Sequence, residues 1–305
     1  MQRRLVLSGL VLFAATFIAS CSRPVPSGIS VPRSLVPLVS PDATMLGGID
    51  VEALKSSPLY AKYSSLLDYA GLDQFAAESG VDLRRDLNQL LYVANEKKQY
   101  FLVRGNVSAA ALEGKLQTEG AKANQYKGIK LWQAPRSALA LLKGPVAVLG
   151  SPDVVRGAID TEEDGRGEVP ELIADHLRSM PKGDQAWFIS CRGLPFASTV
   201  TRTDIESALS NIVGFIAEAI GSLHVDTGAR LQAALYCSTA EGATRVHDAL
   251  RATIAIGRLS TKDNETSLLK IYDAVQIERD QNIVRLNARL SGEQVDELMG
   301  RIKVR

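Results

Sequence analysis

The side chains able to do chemistry are few in this chain. Three histidines stand at His176, His224 and His247, and no two have the i, i+4 spacing that sets a pair of imidazoles on one helix face for zinc. A three-histidine site would have to be assembled in space from separate elements; otherwise these are solvent-facing or helix-face histidines. Ser267-Leu268-Leu269-Lys270 matches SxxK, in which a serine and a lysine one helical turn apart act as nucleophile and base. The SDN and KTG words that accompany it in penicillin-binding enzymes are missing, so the default is a serine near a helix start and a surface lysine. Acidic residues cluster near helix starts, but Thr203-Asp204-Ile205-Glu206, Ser238-Thr239-Ala240-Glu241 and Ser291-Gly292-Glu293-Gln294 fit capping boxes, and Asp50 fits an N-cap. There is no GxGxxG, P-loop, GxSxG or EF-hand loop. The expectation is a protein without catalytic residues, metal or cofactor.

The remaining chemistry is sulfur. Cys21 follows two arginines (Arg3, Arg4), an apolar run from Leu5 to Ile18, and the small residues Ala19 and Ser20. A basic start, a short apolar core and small residues at the cut describe a secretory signal, and the run falls short of the ~20 residues of a spanning helix. Ile18-Ala19-Ser20-Cys21 resembles the lipobox of bacterial lipoproteins. That resemblance implies removal of residues 1–20, acylation of Cys21 and attachment to the membrane through it. Several acyl chains make a durable anchor. Ser22, rather than aspartate, implies the periplasmic leaflet of an outer membrane where the organism has one.

Cys191 and Cys237 then stand in an oxidising compartment. Each lies near the end of an expected strand, Trp187–Cys191 and Leu231–Cys237, with inward parity. On neighbouring strands they could bridge if their Cα atoms came within ~7 Å; otherwise they are buried free thiols behaving as small hydrophobes.

After Cys21 come prolines at 24, 26, 32, 37 and 41 with serines between, which predicts an extended spacer over residues 21–41. The mature chain of 285 residues is long enough for a sizeable core. Without Arg3 and Arg4 it carries 33 basic against 34 acidic residues and no basic stripe, which argues against nucleic acid as a partner.

From residue 42 the pattern alternates strands, helices and hairpins. Polar or glycine-bearing turns at Asn95–Lys98, Asp226–Gly228 and Asp280–Asn282 separate apolar runs and predict hairpins. Helices are expected at Val51–Tyr69, from Asp73 toward Leu87, and at Ser108–Gly120, Glu171–Met180, Thr203–Ile220, Glu241–Ile256 and Gly292–Val304. A shift of 134 residues places Leu112 on Val246 and Leu116 on Leu250; a shift of 140 places Ser151 on Ser291 and Val155 on Val295. The reading is α+β, with two similar halves at 42–165 and 166–305, each of antiparallel hairpins with helices on one face.

Gly47-Gly48-Ile49-Asp50, Phe101-Leu102-Val103-Arg104-Gly105, Tyr126-Lys127-Gly128-Ile129 and Val148-Leu149-Gly150-Ser151-Pro152-Asp153 resemble words of uncharacterised bacterial lipoproteins. They are packing and turn words, so the resemblance implies architecture and address but no activity. In the expected helix over 203–220, Ile205, Leu209, Ile212 and Ile216 trace one seam. Such a stripe is buried between sheet and partner half, or forms a wall of a groove for an acyl chain or a partner helix. The expected role is a lipid-anchored, non-catalytic envelope protein that binds a partner or serves a structural purpose, with a carrier or sensor of a hydrophobic ligand as the alternative and a hydrolase behind both.

Overall fold

The computed structural model of the protein describes residues 28–64, 82–107, 109–118, 120–194 and 212–303. Twelve strands within them form one sheet: β1 (Met45–Asp50), β2 (Leu87–Ala94), β3 (Gln99–Gly105), β4 (Lys122–Tyr126), β5 (Ile129–Gln133), β6 (Ala138–Leu141), β7 (Val146–Gly150), β8 (Ala186–Ser190), β9 (Ile216–Val225), β10 (Ala229–Cys237), β11 (Val275–Asp280) and β12 (Ile283–Leu290). The helices are α1 (Val51–Lys55), α2 (Pro58–Tyr63), α3 (Leu83–Asp86), α4 (Ala109–Thr118), α5 (Pro152–Glu163), α6 (Glu171–Ser179), α7 (Ala240–Leu259), α8 (Thr266–Asp273) and α9 (Gly292–Lys303). The class is α+β, with every strand pair antiparallel.

Local chemistry sets the hairpins. Asn95 Oδ1 accepts from the backbone N–H groups of Lys97 and Lys98, both at 2.9 Å, and so folds the β2–β3 turn. Lys127 and Gly128 both take positive φ (49° and 77°), the geometry that joins β4 to β5 without splaying them. Helix starts are capped as the sequence suggests at two places. Asp50 Oδ1 accepts from Ala53 N (2.9 Å), and Ser291 and Gln294 exchange bonds at 2.8 and 3.3 Å. At α7 the cap is Thr239, which accepts from Gly242 N at 3.0 Å, so the box anticipated from Ser238 is displaced by one residue. The Thr203–Glu206 box lies outside the described residues.

The strand order is β11-β12-β10-β9-β8-β1-β2-β3-β7-β6-β5-β4. Outward from the β8–β1 pair each direction has a sequential hairpin (β9–β10, β2–β3), then a later hairpin entered by its second strand (β12–β11, β7–β6), and β5 and β4 extend the sheet on the β7–β6 side alone.

Register sorts the side chains onto two faces, because directly opposed residues in an antiparallel pair share one. Leu46, Leu91, Leu102, Val148 and Ile189 point to the first face, where they form a core with Val155 and Ile159 of α5 and Ile173 and Leu177 of α6. Ala219, Cys237 and Val284 point to the second face, under Ala243 and Val246 of α7. At the other end of that second face the Lys130–Glu113 ion pair ties α4 to β5. Helices therefore lie against both faces rather than one, as each end of so wide a sheet needs its own apolar cover.

Three other expectations are corrected. The stretch read as a spacer is, from residue 28, part of the core: Leu35, Leu38 and Val39 are buried on the first face, around a 3-10 turn at Val36–Leu38. Tyr100 fastens it, donating its hydroxyl to Leu38 O (2.8 Å) and accepting from Ser40 N (2.9 Å). Burying each such aliphatic side chain stabilises the fold by about 1.5–3 kcal/mol, which outweighs the extended preference of the prolines between them. The Thr203–Ile220 helix is also revised. From Ile216 the chain is strand β9, paired to β8 and β10, because glycines at 214 and 221 weaken a helix while both neighbours supply a ladder. Val51–Tyr69 is likewise divided, with α2 starting afresh at Pro58 behind the Ser57 cap.

Candidate functional site

Among the described residues, no helix covers the second sheet face between α4 and α7. Ile49, Phe101 and Leu231 lie on it and remain 36%, 42% and 43% exposed. The floor there is a hollow of about 370 Å³ on β1, β2, β3, β8, β9 and β10. Leu90, Tyr92, Phe188 and Leu223 line it, and no Asp, Glu, Lys, Arg, His or Cys does. Phe188 lies across Gly221, its registered partner on β9; a Cβ there would sit 2.6 Å from the ring, so only glycine lets the aromatic lie flat on the floor. Tyr92 stacks near Phe101 with ring centroids 5.2 Å apart, and its hydroxyl donates to Gln99 Oε1 at 2.8 Å. Burial raises the phenol's pKa, so it stays neutral.

Phe101 also borders a second hollow, of about 650 Å³, between α4 and the sheet. Leu112 and Leu116 of α4 face Trp132, Leu139 and Leu149 there. The mouth lies at the β2–β3 and β5–β6 turns, where Lys97, Lys98 and Arg136 stand exposed. Among the described residues these three cations enter no ion pair, and no acidic residue lines the hollow. The Trp132 indole N–H is buried and has no acceptor among the described residues. Phe101 borders both hollows, which lie side by side along this face as an apolar trough, each in the size range of ligand sites. Its polar lining includes Lys97, Lys98, Arg136, Gln99 and the hydroxyls of Ser137, Ser151 and Ser222, and no Asp, Glu, His or Cys lines it.

The residues singled out in the sequence lie elsewhere. Ile212 and Ile216 are closed into the core beneath α7 with Cys237 and Val246, so they form no wall of the trough; Ile205, Leu209 and Cys21 lie outside the described residues. The three histidines are dispersed. His176 Nε2 meets Glu218 at 3.0 Å, His224 Nδ1 meets Gly183 O at 3.1 Å, and His247 Nδ1 meets Asp248 at 2.8 Å. No group of three metal-ligating side chains gathers among the described residues. Ser267 and Lys270 are exposed on α8, without a hydrogen bond joining them among the described residues. Asp184, fully buried, takes a bond from Arg230 at 2.7 Å and lies 3.5 Å from His224, a contact that pins the entry to β8 against the β9–β10 hairpin. Sequence reasoning missed the trough because its residues come from nine strands and α4.

Cys191 and Cys237 are free. Cys191 packs against the first core and Cys237 lies in the second, with β9 running between their strands. Two strand spacings amount to about 9.6 Å, beyond the reach of a disulfide, and the thiols point to opposite faces. Burial, then the Glu218 carboxylate, pushes the Cys191 thiol from 9.0 up to about 11. The mass of the folded protein is therefore expected not to change with reductant, and Cys191 alkylation to stay slow at pH 8 and accelerate toward pH 11. Both folded and unfolded chains hold this proton below pH 9. Between 9 and about 11 the unfolded chain releases it first, so this thiol's contribution to stability is lost as pH rises. A reductant-reversible loss of two mass units would contradict the arrangement.

The fold and trough define an α+β protein on a single antiparallel sheet, one face of which is partly uncovered by the described residues. No family model and no curated protein matches the chain by sequence. Solved structures of TP0453 are similar to it. Crystal form I covers 88% of this chain and 97% of that one, at 9% identity and a TM-score of 0.49. Form III covers 88% and 98%, at 9% identity and 0.47, and form IV 87% and 95%, at 8% identity and 0.49. At this similarity no role carries across.

Proposed function

We propose that this chain is a lipid-anchored, non-catalytic protein of the bacterial cell envelope, held by an acylated Cys21, that carries or senses an apolar ligand in the trough on its second sheet face. The observation that supports this is the pair of largely apolar hollows that Phe101 borders, with no Asp, Glu, His or Cys in their lining. An apolar patch kept exposed on a folded protein marks a surface that something covers. The Cys21 context supports the anchor and the envelope address, and Ser22 supports an outer-membrane destination. Binding an apolar segment of an envelope partner protein is the second reading, favoured by the exposure of Ile49, Phe101 and Leu231 at the centre of the face. The matching hairpins on both sides of β8–β1 support descent from a duplicated half at 42–165 and 166–305. Leu112 and Val246, equivalent under the 134-residue shift, are both buried on helices that follow a hairpin.

An environment-sensitive apolar dye, titrated into the exported chain carrying Cys21→Ser, tests the binding role. Saturable fluorescence that a long-chain lipid displaces is the expected result. A folded protein that leaves the dye unbound overturns the proposal.

A further inference from the structure

The rim of the α4 hollow distinguishes among apolar ligands. Its charged lining residues are Lys97, Lys98 and Arg136, all positive and all without an ion pair among the described residues. Native surfaces usually interleave both signs, and here the two turns bring three cations to the mouth of an apolar cavity. Trp132, a residue 2% exposed, lines the same hollow, and its buried indole N–H lacks an acceptor among the described residues. Every one of these groups donates, and none can accept. The apolar side chains behind them offer nothing polar to a ligand's far end.

We infer that the α4 hollow takes a long-chain fatty acid, its carboxylate at Lys97, Lys98 and Arg136 and its acyl chain over Trp132 and Leu116 toward Phe101. This rests on the apolar-binding role proposed above and narrows it to one head group. A neutral lipid would leave the cations without a counter-charge, and a cationic amphiphile would be repelled. A carboxylate matches the charge and the donors of the three rim cations, while the chain replaces water along the apolar lining. The guanidinium of Arg136 can hold both carboxylate oxygens, and the two lysines act as point charges.

Bromine on an acyl chain quenches nearby tryptophan fluorescence, and Trp132 stands in the hollow. The probes are a mid-chain brominated palmitic acid and its methyl ester, titrated into the full mature chain carrying Cys21→Ser. The acid is expected to quench with at least about tenfold higher affinity than the ester, as fits a few charges at a wet rim. Lys97→Gln, Lys98→Gln and Arg136→Gln together are expected to erase that preference while leaving the ester's affinity unchanged. Quenching should fall by more than half in Trp132→Phe. If acid and ester bind equally, the head-group assignment fails while the apolar-binding role stands. If neither binds, both fail. Quenching undiminished in Trp132→Phe places the ligand away from this hollow and overturns the inference.

Discussion

Phe101→Asp is expected to weaken apolar-ligand binding about a hundredfold while leaving the fold intact. The residue borders both hollows, so a charge there is felt in each of them. Covering an unpaired carboxylate with an apolar ligand costs about 3 kcal/mol at the least, which is a factor of about a hundred in affinity. The unliganded protein does not incur that cost, because Phe101 is 42% exposed and an aspartate there stays hydrated. Its stability should fall by about 1 kcal/mol, from lost strand preference and the lost Tyr92 contact. Dye titration and thermal unfolding of the same preparation separate the two effects. Unchanged affinity would remove the trough from the binding site.

Cys21→Ser is expected to shift nearly all of the protein from the membrane fraction to the soluble one. Each buried methylene of an acyl chain contributes about 0.8 kcal/mol to membrane attachment, so loss of the acylated thiol removes the whole anchor. No described helix is long and apolar enough to cross a membrane and replace it. Fractionation of cells expressing the variant, with labelled palmitate incorporation as a parallel readout, checks this. A variant still found with the membranes, or a wild-type chain that takes up no label, would contradict the lipoprotein reading.

Much of the fold was legible where neighbours in sequence decide it. Asn95-Glu96-Lys97-Lys98 between two apolar runs announces the β2–β3 hairpin, and the structure forms it through the Asn95 side chain. The Asp226–Gly228 and Asp280–Asn282 turns behave in the same way. β4 was invisible because Lys122–Gln125 are all exposed and carry no period-two apolar signal. β9 was misread because Ile212, Ile216 and Ile220 recur every four residues, a helical spacing, whereas Ile216 and Ile220 gain more as β strand between β8 and β10. Residues 28–41 were misread because proline spacing was weighed above the aliphatic residues it separates.

The trough was illegible for a different reason. Ile49, Tyr92, Phe101, Leu223 and Leu231 each show the alternation of a core-facing strand position, and period alone cannot tell a covered face from an open one. Only the topology shows that β8 returns beside β1 and leaves this stretch of the second face between α4 and α7. Lys97, Lys98 and Arg136 looked like ordinary turn residues; their meaning comes from two turns meeting at one end of the sheet.

Photolabelling the folded protein with a diazirine-bearing fatty acid, then mapping adducts by peptide mass spectrometry, tests the open face most directly. Adducts should fall on Tyr92, Phe101, Leu139, Leu149 or Leu231, and an excess of unlabelled fatty acid should suppress them. Adducts confined to the opposite face, around Gln232, Arg285 and Asn287, would contradict the account.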